Sequence, residues 1–167
     1  WKRKQRNASS TTVAPTGTIS IIAGCSGGME PIFALSFFRR VMKDHTGKPK
    51  VMTEVNPFFL EAATRNNFWG LDKDVLLDKL TKEGTLANIP EVPEEIKRVF
   101  VGARDITPEW HVKMQAEFQK HCDSAISKTI NLPEDATEDD VRLVYEQAFD
   151  RRLKGVTVYR DNCRACQ

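Results

Sequence analysis

The sequence predicts an α/β fold, and three stretches of the chain carry that prediction. In the last third, two β-prone segments, residues 125–132 and 156–159, flank a helix that begins after Thr137. Near the start, residues 11–13 are β-branched and run into a tight turn and a helix start. A β-hairpin is predicted between these regions. Because a strand–helix–strand unit joins parallel strands by a right-handed crossover, the last third predicts a parallel pair.

The turn near the start is the first candidate binding site. Pro15 cannot continue a central strand, so the predicted strand ends there and a helix start follows. A helix start offers unpaired N–H groups and a positive dipole end, which together suit an anion. Gly17 and the hydroxyl residues around it would let a phosphate come close to this backbone. The stretch matches neither standard nucleotide fingerprint, so a capped helix without a ligand is the alternative.

The middle of the chain predicts the hairpin, a helix that opens at residues 58–63 and two further helices. Residues 32–38 and 50–55 are the candidate strands, joined by a turn at residues 44–48 with His45 exposed at its tip. Asp72 would cap a helix that ends at Gly84. The inner face of that helix would carry Val75, Leu76, Leu77 and Leu80. A shorter helix is predicted near residues 93–96.

Two longer helices follow. Thr107 would cap the first, with Pro108 at its first position, and Trp110, Met114 and Phe118 are predicted as its buried stripe. Thr137 would cap the second. Its apolar positions follow helical spacing and are Val141, Val144, Tyr145, Ala148 and Phe149.

Length and composition predict one domain over residues 1–167, either an ordinary domain or a part of a larger one. The chain is 40% hydrophobic and 29% charged, as in soluble globular proteins, and has no apolar run long enough to span a membrane. A net charge of +2 predicts no broad surface for nucleic acid. Four cysteines do not indicate a disulfide scaffold; Cys25 and Cys122 are predicted as buried thiols in a reducing, cytoplasmic compartment.

Several stretches, in order along the chain, resemble those of adenosylcobalamin-dependent (class II) ribonucleotide reductases. They are Asn7-Ala8, residues 11–20 with the sequence TTVAPTGTIS, Gly28-Met29-Glu30-Pro31, residues 123–133 and residues 154–161. The resemblance implies a second-half fragment of a ten-stranded α/β barrel, carrying a β-hairpin and a helical insertion. It also implies that one loop binds the substrate's diphosphate through Thr16, Gly17, Thr18, Ile19 and Ser20.

The resemblance further implies a role in converting ribonucleotides to deoxyribonucleotides by thiyl-radical chemistry. In that family the radical cysteine, the reducing cysteine pair and the ribose-binding residues lie upstream of the phosphate loop. No catalytic residue and no metal ligand is therefore assigned here, and the fragment is expected to be inactive alone. The implied partners are a ribonucleotide, an external dithiol reductant, and the missing N-terminal half of the barrel or a companion chain.

The cofactor implied by the resemblance is adenosylcobalamin, bound mostly by parts of the protein outside this chain. Class I reductases carry a Tyr-Tyr pair where this chain has Thr157-Val158, and the absence of that pair fits class II. Tyr159 is single, and we expect it to pack with its hydroxyl satisfied.

Two features and the function itself leave alternatives open. Glu30 either hydrogen-bonds the turn around Gly27 and Gly28 or acts directly in catalysis. Cys163 and Cys166 form a C-x-x-C whose thiols are incidental, a redox pair or half of a metal site. The alternative function is a stand-alone phosphate-binding or regulatory module without catalysis.

Overall fold

The computed structural model describes residue 4 and residues 6–43, 49–67 and 73–163, with the backbone alone at residues 38–43 and 49–52. The predicted turn with His45, the Asp72 cap and Cys166 lie outside these ranges. In chain order the helices and strands are α1 (Gly17–Ala23), β1 (Ser36–Lys43), β2 (Pro49–Val55), α2 (Pro57–Arg65), α3 (Lys73–Glu83), α4 (Glu94–Val99), a 3₁₀ turn (Ala103–Asp105), α5 (Pro108–Gln119), β3 (Thr129–Leu132), α6 (Glu138–Asp150) and β4 (Thr157–Arg160).

The chain divides into two compact units. One is continuous and covers Ile32–Asp105, while the other combines Trp1–Pro31 with Ile106–Gln167. Within the described ranges, every helix is too short or too polar to cross a lipid bilayer.

The unit covering Ile32–Asp105 contains the hairpin and helices α2 to α4. Strands β1 and β2 pair antiparallel with Ser36 opposite Val55, which confirms the predicted hairpin, although β1 begins four residues later than expected. Asn56 caps α2, because its Oδ1 atom accepts the N–H of Phe59 at 3.0 Å. The apolar faces of the elements meet in one core made of Leu35, Phe59, Ala63, Leu76, Leu80, Leu86, Ile89 and Val92.

The other unit is built on the predicted strand–helix–strand segment. Strands β3 and β4 pair in parallel with Thr129 opposite Thr157, which confirms the predicted orientation. Helix α6 connects them and begins with a capping box, in which Thr137 and Asp140 each accept from the other's backbone N–H. The core beneath α5 and α6 is formed by Val112, Ile130, Leu132 and Val144.

The predicted buried stripe of α5 is wrong. Trp110 is 62% exposed, and Met114 and Phe118 are exposed as well. The buried face consists of His111, Val112, Gln115, Ala116 and Gln119. Two glutamines lie inside because irregular backbone passes beneath the helix and needs donors. Gln115 donates to the carbonyl of Gly155 at 2.8 Å, and Gln119 donates to those of Cys122 and Ser124 at 3.0 Å.

The apolar face of α6 is narrower than predicted. Val144 and Ala148 are buried, whereas Tyr145 and Phe149 are exposed, Phe149 by 82%. Val144 and Ala148 are four residues apart and lie on successive turns of one helix face, and the residue after each of them projects outward.

Residues 11–13 do not form the predicted strand. They are extended and lie beside the segment that precedes β3. The backbone N–H of Ser124 donates to the carbonyl of Thr11 at 3.0 Å, and the backbone N–H of Ser127 donates to that of Val13 at 2.9 Å. The donors are three residues apart and the acceptors two, so the pattern does not continue as a regular ladder. Strand β3 begins at Thr129, where its pairing with β4 begins opposite Thr157, and not at residue 125 as predicted.

Candidate phosphate-binding loop

The predicted phosphate loop forms the first turn of α1. Among the described residues, the backbone N–H groups of Gly17, Thr18 and Ile19 have no hydrogen-bond acceptor, as expected at a helix start. Thr16 occupies the cap position, yet its side chain makes no capping hydrogen bond. The first turn therefore presents three unpaired N–H donors next to a threonine hydroxyl.

The hydroxyl groups of the loop differ in their availability. Ser20 Oγ donates to the carbonyl of Gly17 at 2.8 Å, so its one proton is already used. Within the described part of the chain, the hydroxyls of Thr16 and Thr18 have no hydrogen-bond partner. Thr16 and Ser20 are partly buried, whereas Gly17, Thr18 and Ile19 are exposed. The loop is therefore accessible to a ligand, and Thr16 and Thr18 are its available hydroxyl donors.

A glycine-rich turn packs against this loop. Helix α1 ends at Gly24, whose φ of 64° reverses the chain, and Cys25 donates to the carbonyl of Ser20 at 3.1 Å. The returning chain brings Gly27 against the side chains of Thr16 and Ser20. Gly28, with a φ of 56°, lies where an added methyl group would be 3.5 Å from the carbonyl oxygen of Ala14. The turn thus contacts residues on both sides of the helix start.

Glu30 fastens the end of this turn to β3. Its backbone N–H donates to the carbonyl of Gly27 at 3.0 Å and closes the turn. Its carboxylate binds elsewhere: Oε1 accepts the N–H of Thr129 at 2.6 Å, and Oε2 accepts from Nζ of Lys128 at 2.7 Å. The expectation that the Glu30 side chain bonds the turn is therefore wrong; its backbone does so, and its carboxylate joins the turn to β3.

Lys128 is buried in a polar cluster. Its side chain is 1% exposed, and its ammonium group donates to Glu30, to Nδ1 of His111 at 2.8 Å and to the carbonyl of Thr129 at 2.6 Å. An ammonium group has three donors, so all of them are used. Burial lowers the pKa of Lys128, and the adjacent Glu30 carboxylate opposes that shift. An ammonium group can only donate, so His111 Nδ1 is the acceptor in this contact.

The sequence alone did not identify this cluster. Glu30 and Lys128 are 98 positions apart, and His111 lies on a different element from either. No local pattern links these residues. The one available signal is that a lysine occupies an inward position next to β3, where an apolar residue is usual.

Asp123 fixes the chain that leads into the loop. Its Oδ2 atom accepts the N–H groups of Ser10 at 2.9 Å and Thr11 at 3.3 Å. These bonds, led by that from Ser10, lower the pKa of Asp123. The segment before the loop is thereby held at both ends, by Asp123 and by the bond from Ser127 to Val13.

The described cysteines are free. Cys25 and Cys163 are exposed and Cys122 is partly buried, so the prediction of a buried Cys25 is wrong. Within the described ranges, no group of three or more His, Cys, Asp or Glu side chains is arranged to hold a metal ion. The alternatives for the C-x-x-C stay open, because Cys166 lies outside the described residues.

These features define an α/β protein with a candidate anion site at the start of a short helix. Residues 2–159 match the family model described as ribonucleotide reductase, barrel domain. The chain belongs to that family, which confirms the resemblance seen in the sequence. The mixed helices and strands agree with a barrel domain; the ten-stranded barrel and this chain's place in its second half stay predictions.

Two similar proteins align with all or nearly all of this chain. A vitamin B12-dependent ribonucleoside-diphosphate reductase of Thermoplasma acidophilum is 48% identical over 170 residues, which include 100% of this chain and 21% of that protein. A reductase of the same name from Mycobacterium tuberculosis H37Rv is 43% identical over 163 residues, 98% of this chain and 22% of that protein. The chain therefore spans about a fifth of the length of these curated relatives.

A solved structure supports the fold. The class Id ribonucleotide reductase alpha subunit of Actinobacillus ureae superposes with a TM-score of 0.65 over 89% of this chain and 26% of that chain. Its sequence identity to this chain is 22%, so the likeness concerns the fold alone.

Proposed function

We propose that this chain is the C-terminal part of the catalytic barrel of an adenosylcobalamin-dependent ribonucleotide reductase. Within that enzyme, residues 16–20 bind the diphosphate of the ribonucleotide substrate. The observation that carries the proposal is the set of unpaired N–H groups at Gly17, Thr18 and Ile19, next to the available hydroxyls of Thr16 and Thr18. Because the chain belongs to the ribonucleotide reductase family, we infer that the anion bound there is the diphosphate of a ribonucleotide.

The proposed contacts follow from elementary electrostatics. Backbone N–H groups at a helix start point toward an anion and carry the positive end of the helix dipole. Hydrogen bonds from neutral donors to a charged phosphate are shorter and stronger than those between neutral groups. Gly17 has no side chain, so phosphate oxygens can approach its backbone closely. Ser20 would contribute least, since its proton already goes to the carbonyl of Gly17.

The reaction of the complete enzyme would be ribonucleotide reduction by a thiyl radical, with an external dithiol as the reductant. When bound, adenosylcobalamin supplies the initial radical. His111 does not suit a cobalt ligand, because it is 2% exposed and already bonded to Lys128. We place most of the cofactor's binding groups in parts of the protein outside this segment, and assign this segment the task of holding the substrate phosphates.

The exposed side chains of α1 support a companion segment. No residue of α1 is buried, and Ile19, Ile21 and Ile22 are 63%, 70% and 80% exposed. Apolar side chains grouped in this way on one short helix usually face another part of a protein. We propose that the first half of the barrel, in the same or a companion chain, covers them.

The test is a calorimetric titration. A nucleoside diphosphate is added to a full-length reductase that contains this segment, and the heat of binding gives its affinity. A methyl group at Gly17 would meet no described atom within 4 Å, so Gly17→Val should fold normally and block only an incoming phosphate. We expect diphosphate binding to be lost in Gly17→Val. Ala23→Val creates the same branched side chain at the other end of α1, adding two carbon atoms where Gly17→Val adds three, and should bind normally. Normal diphosphate affinity in a well-folded Gly17→Val enzyme would refute the assignment.

A further inference from the structure

We propose that Lys128 is a positioning residue for substrate binding: by holding Glu30 it fixes the glycine-rich turn, residues 27–30, against the phosphate loop. The inference rests on the proposed function of residues 16–20. Lys128 itself touches no phosphate, because its side chain is 1% exposed and its three donors are occupied.

The first step is that the loop receives no support from the core of its own unit. Helix α1 contains no buried residue. Its start is therefore held by the segments beside it, which are residues 11–13 and the glycine-rich turn. A seven-residue helix without core contacts is marginal on its own, so these neighbours decide whether the N–H groups stay aligned.

The second step is the continuous set of contacts from Lys128 to the loop. Lys128 binds the Glu30 carboxylate at 2.7 Å, and the Glu30 backbone closes the turn on Gly27 at 3.0 Å. Gly27 in turn packs against the hydroxyl-bearing side chains of Thr16 and Ser20. Loss of the ammonium group would release one of the two bonds that hold the Glu30 carboxylate, leaving only that from Thr129.

The third step concerns why a charged pair is placed there. A buried ion pair is seldom the most stabilising choice, since desolvation offsets most of the attraction. It does impose geometry: the ammonium group joins the turn, β3 and α5 through Glu30, Thr129 and His111. An apolar side chain could fill the same space without fixing the turn in one position. The arrangement therefore favours a positioning role over a purely stabilising one.

Lys128→Met is the test variant, because methionine keeps the apolar stem and the remaining Glu30 carboxylate is 31% exposed and can be hydrated. In the full-length reductase we expect nucleoside diphosphate affinity to fall by about ten-fold or more, which corresponds to about 1.4 kcal/mol. KM should rise while kcat changes little, because a ground-state contact is weakened. Glu30→Gln tests the same contact and substitutes for Lys128→Met if the latter fails to fold.

A double variant separates positioning from general destabilisation. If Lys128 acts through Glu30, the Lys128→Met/Glu30→Gln enzyme should lose no more affinity than either single variant. Two matched controls should bind normally. Thr137→Ala removes the cap of α6 and lowers stability away from the loop, and Lys120→Met removes a surface lysine of α5 that pairs with Glu117.

The outcomes are distinguishable. Reduced affinity in Gly17→Val together with normal affinity in Lys128→Met would overturn the positioning role and leave the phosphate loop intact. Normal affinity in Gly17→Val would overturn both. Losses that simply follow the melting temperature, with Thr137→Ala affected like Lys128→Met, would also overturn the positioning role. Non-additive losses confined to Lys128→Met and Glu30→Gln would support it.

Discussion

Gly27 packs so closely against Thr16 that a methyl group added to its Cα atom would lie 3.3 Å from the Thr16 Oγ1 atom. The same methyl group would lie 3.3 Å from Oγ of Ser20. The φ angle of Gly27 is not positive, so its backbone conformation is open to other residues. A larger side chain at this position is excluded by lack of space and not by backbone strain. The turn and the phosphate loop therefore form one packed unit.

We predict that Gly27→Val weakens nucleoside diphosphate binding in the full-length enzyme. The branched side chain must displace the hydroxyls of Thr16 and Ser20, so the start of α1 shifts. Gly27→Ala should have a smaller effect, because a neighbour can yield by a few tenths of an ångström. Calorimetric titration measures both.

The control for Gly27 is Gly155→Ala, where the added methyl group would lie 3.7 Å from Cβ of Ala125, an ordinary contact. It should bind diphosphate normally. Equal affinities for Gly27→Val and the unmodified enzyme would show that the turn does not support the loop.

The buried ammonium group of Lys128 makes stability depend on pH in the alkaline range. Burial lowers the pKa of Lys128 in the folded protein, while the unfolded chain keeps the ordinary value of 10.5. Between these two values the unfolded chain binds more protons, so the free energy of unfolding should rise with pH. Below the folded pKa the burial cost is fully present, since the group is protonated in both states.

The measurement is urea unfolding of the unmodified protein and of Lys128→Met at a series of pH values from 7 to about 10.5. Other titrating groups are common to both proteins, so their difference reports Lys128. We expect the free energy of unfolding of the unmodified protein to rise, relative to that of Lys128→Met, as pH rises. A difference that is constant with pH would contradict the lowered pKa.

Elements with a strong local signal were predicted well from sequence. Thr137 and the periodic residues after it located α6, and its flanking β-prone segments gave a parallel pair. The hairpin followed from two β-prone runs separated by turn residues. In each case neighbouring residues suffice to specify the element, so a single sequence contains the information.

Features that depend on contacts between distant segments were not predicted. The glutamines of α5 are buried because distant carbonyls, such as that of Gly155, need donors, and this reversed the expected inner face. Lys128 and Glu30 likewise meet only through folding. The local pattern indicated residues 16–20 as a candidate anion site and the resemblance assigned it to a diphosphate, but its support by Gly27 and Glu30 could not be seen in the local pattern.

Asp123 should hold the segment before the loop only while its carboxylate is ionised. The N–H groups of Ser10 and Thr11 lower its pKa, so the stabilisation is fully present above the ordinary value and is lost as pH falls through the folded pKa. We expect the amides of Ser10 and Thr11 to exchange faster with solvent, relative to their intrinsic rates, at pH values below about 4.

Amide hydrogen exchange by NMR checks this prediction. Asp123→Asn removes the charge at every pH, so its exchange should already be fast at neutral pH and should change little on acidification. Asp139→Asn, which removes a carboxylate paired with Arg142 on the surface of α6, serves as the control and should behave like the unmodified protein. Acid-independent protection of Ser10 and Thr11 would show that the charge on Asp123 is unimportant.

The exposed stripe of α5 gives the last prediction. In the 167-residue chain, Trp110→Gln should lower the free energy of unfolding by less than about 1 kcal/mol, because the ring is 62% exposed and its one described ring contact is the Lys113 ammonium group at 4.5 Å. Ile130→Ala, at a fully buried position of β3, should lower it by about 2 to 5 kcal/mol. Urea unfolding of the two variants measures both values. If Trp110→Gln lowered the free energy of unfolding as much as Ile130→Ala does, Trp110 would have to be buried. That result would favour the buried stripe predicted from helical spacing.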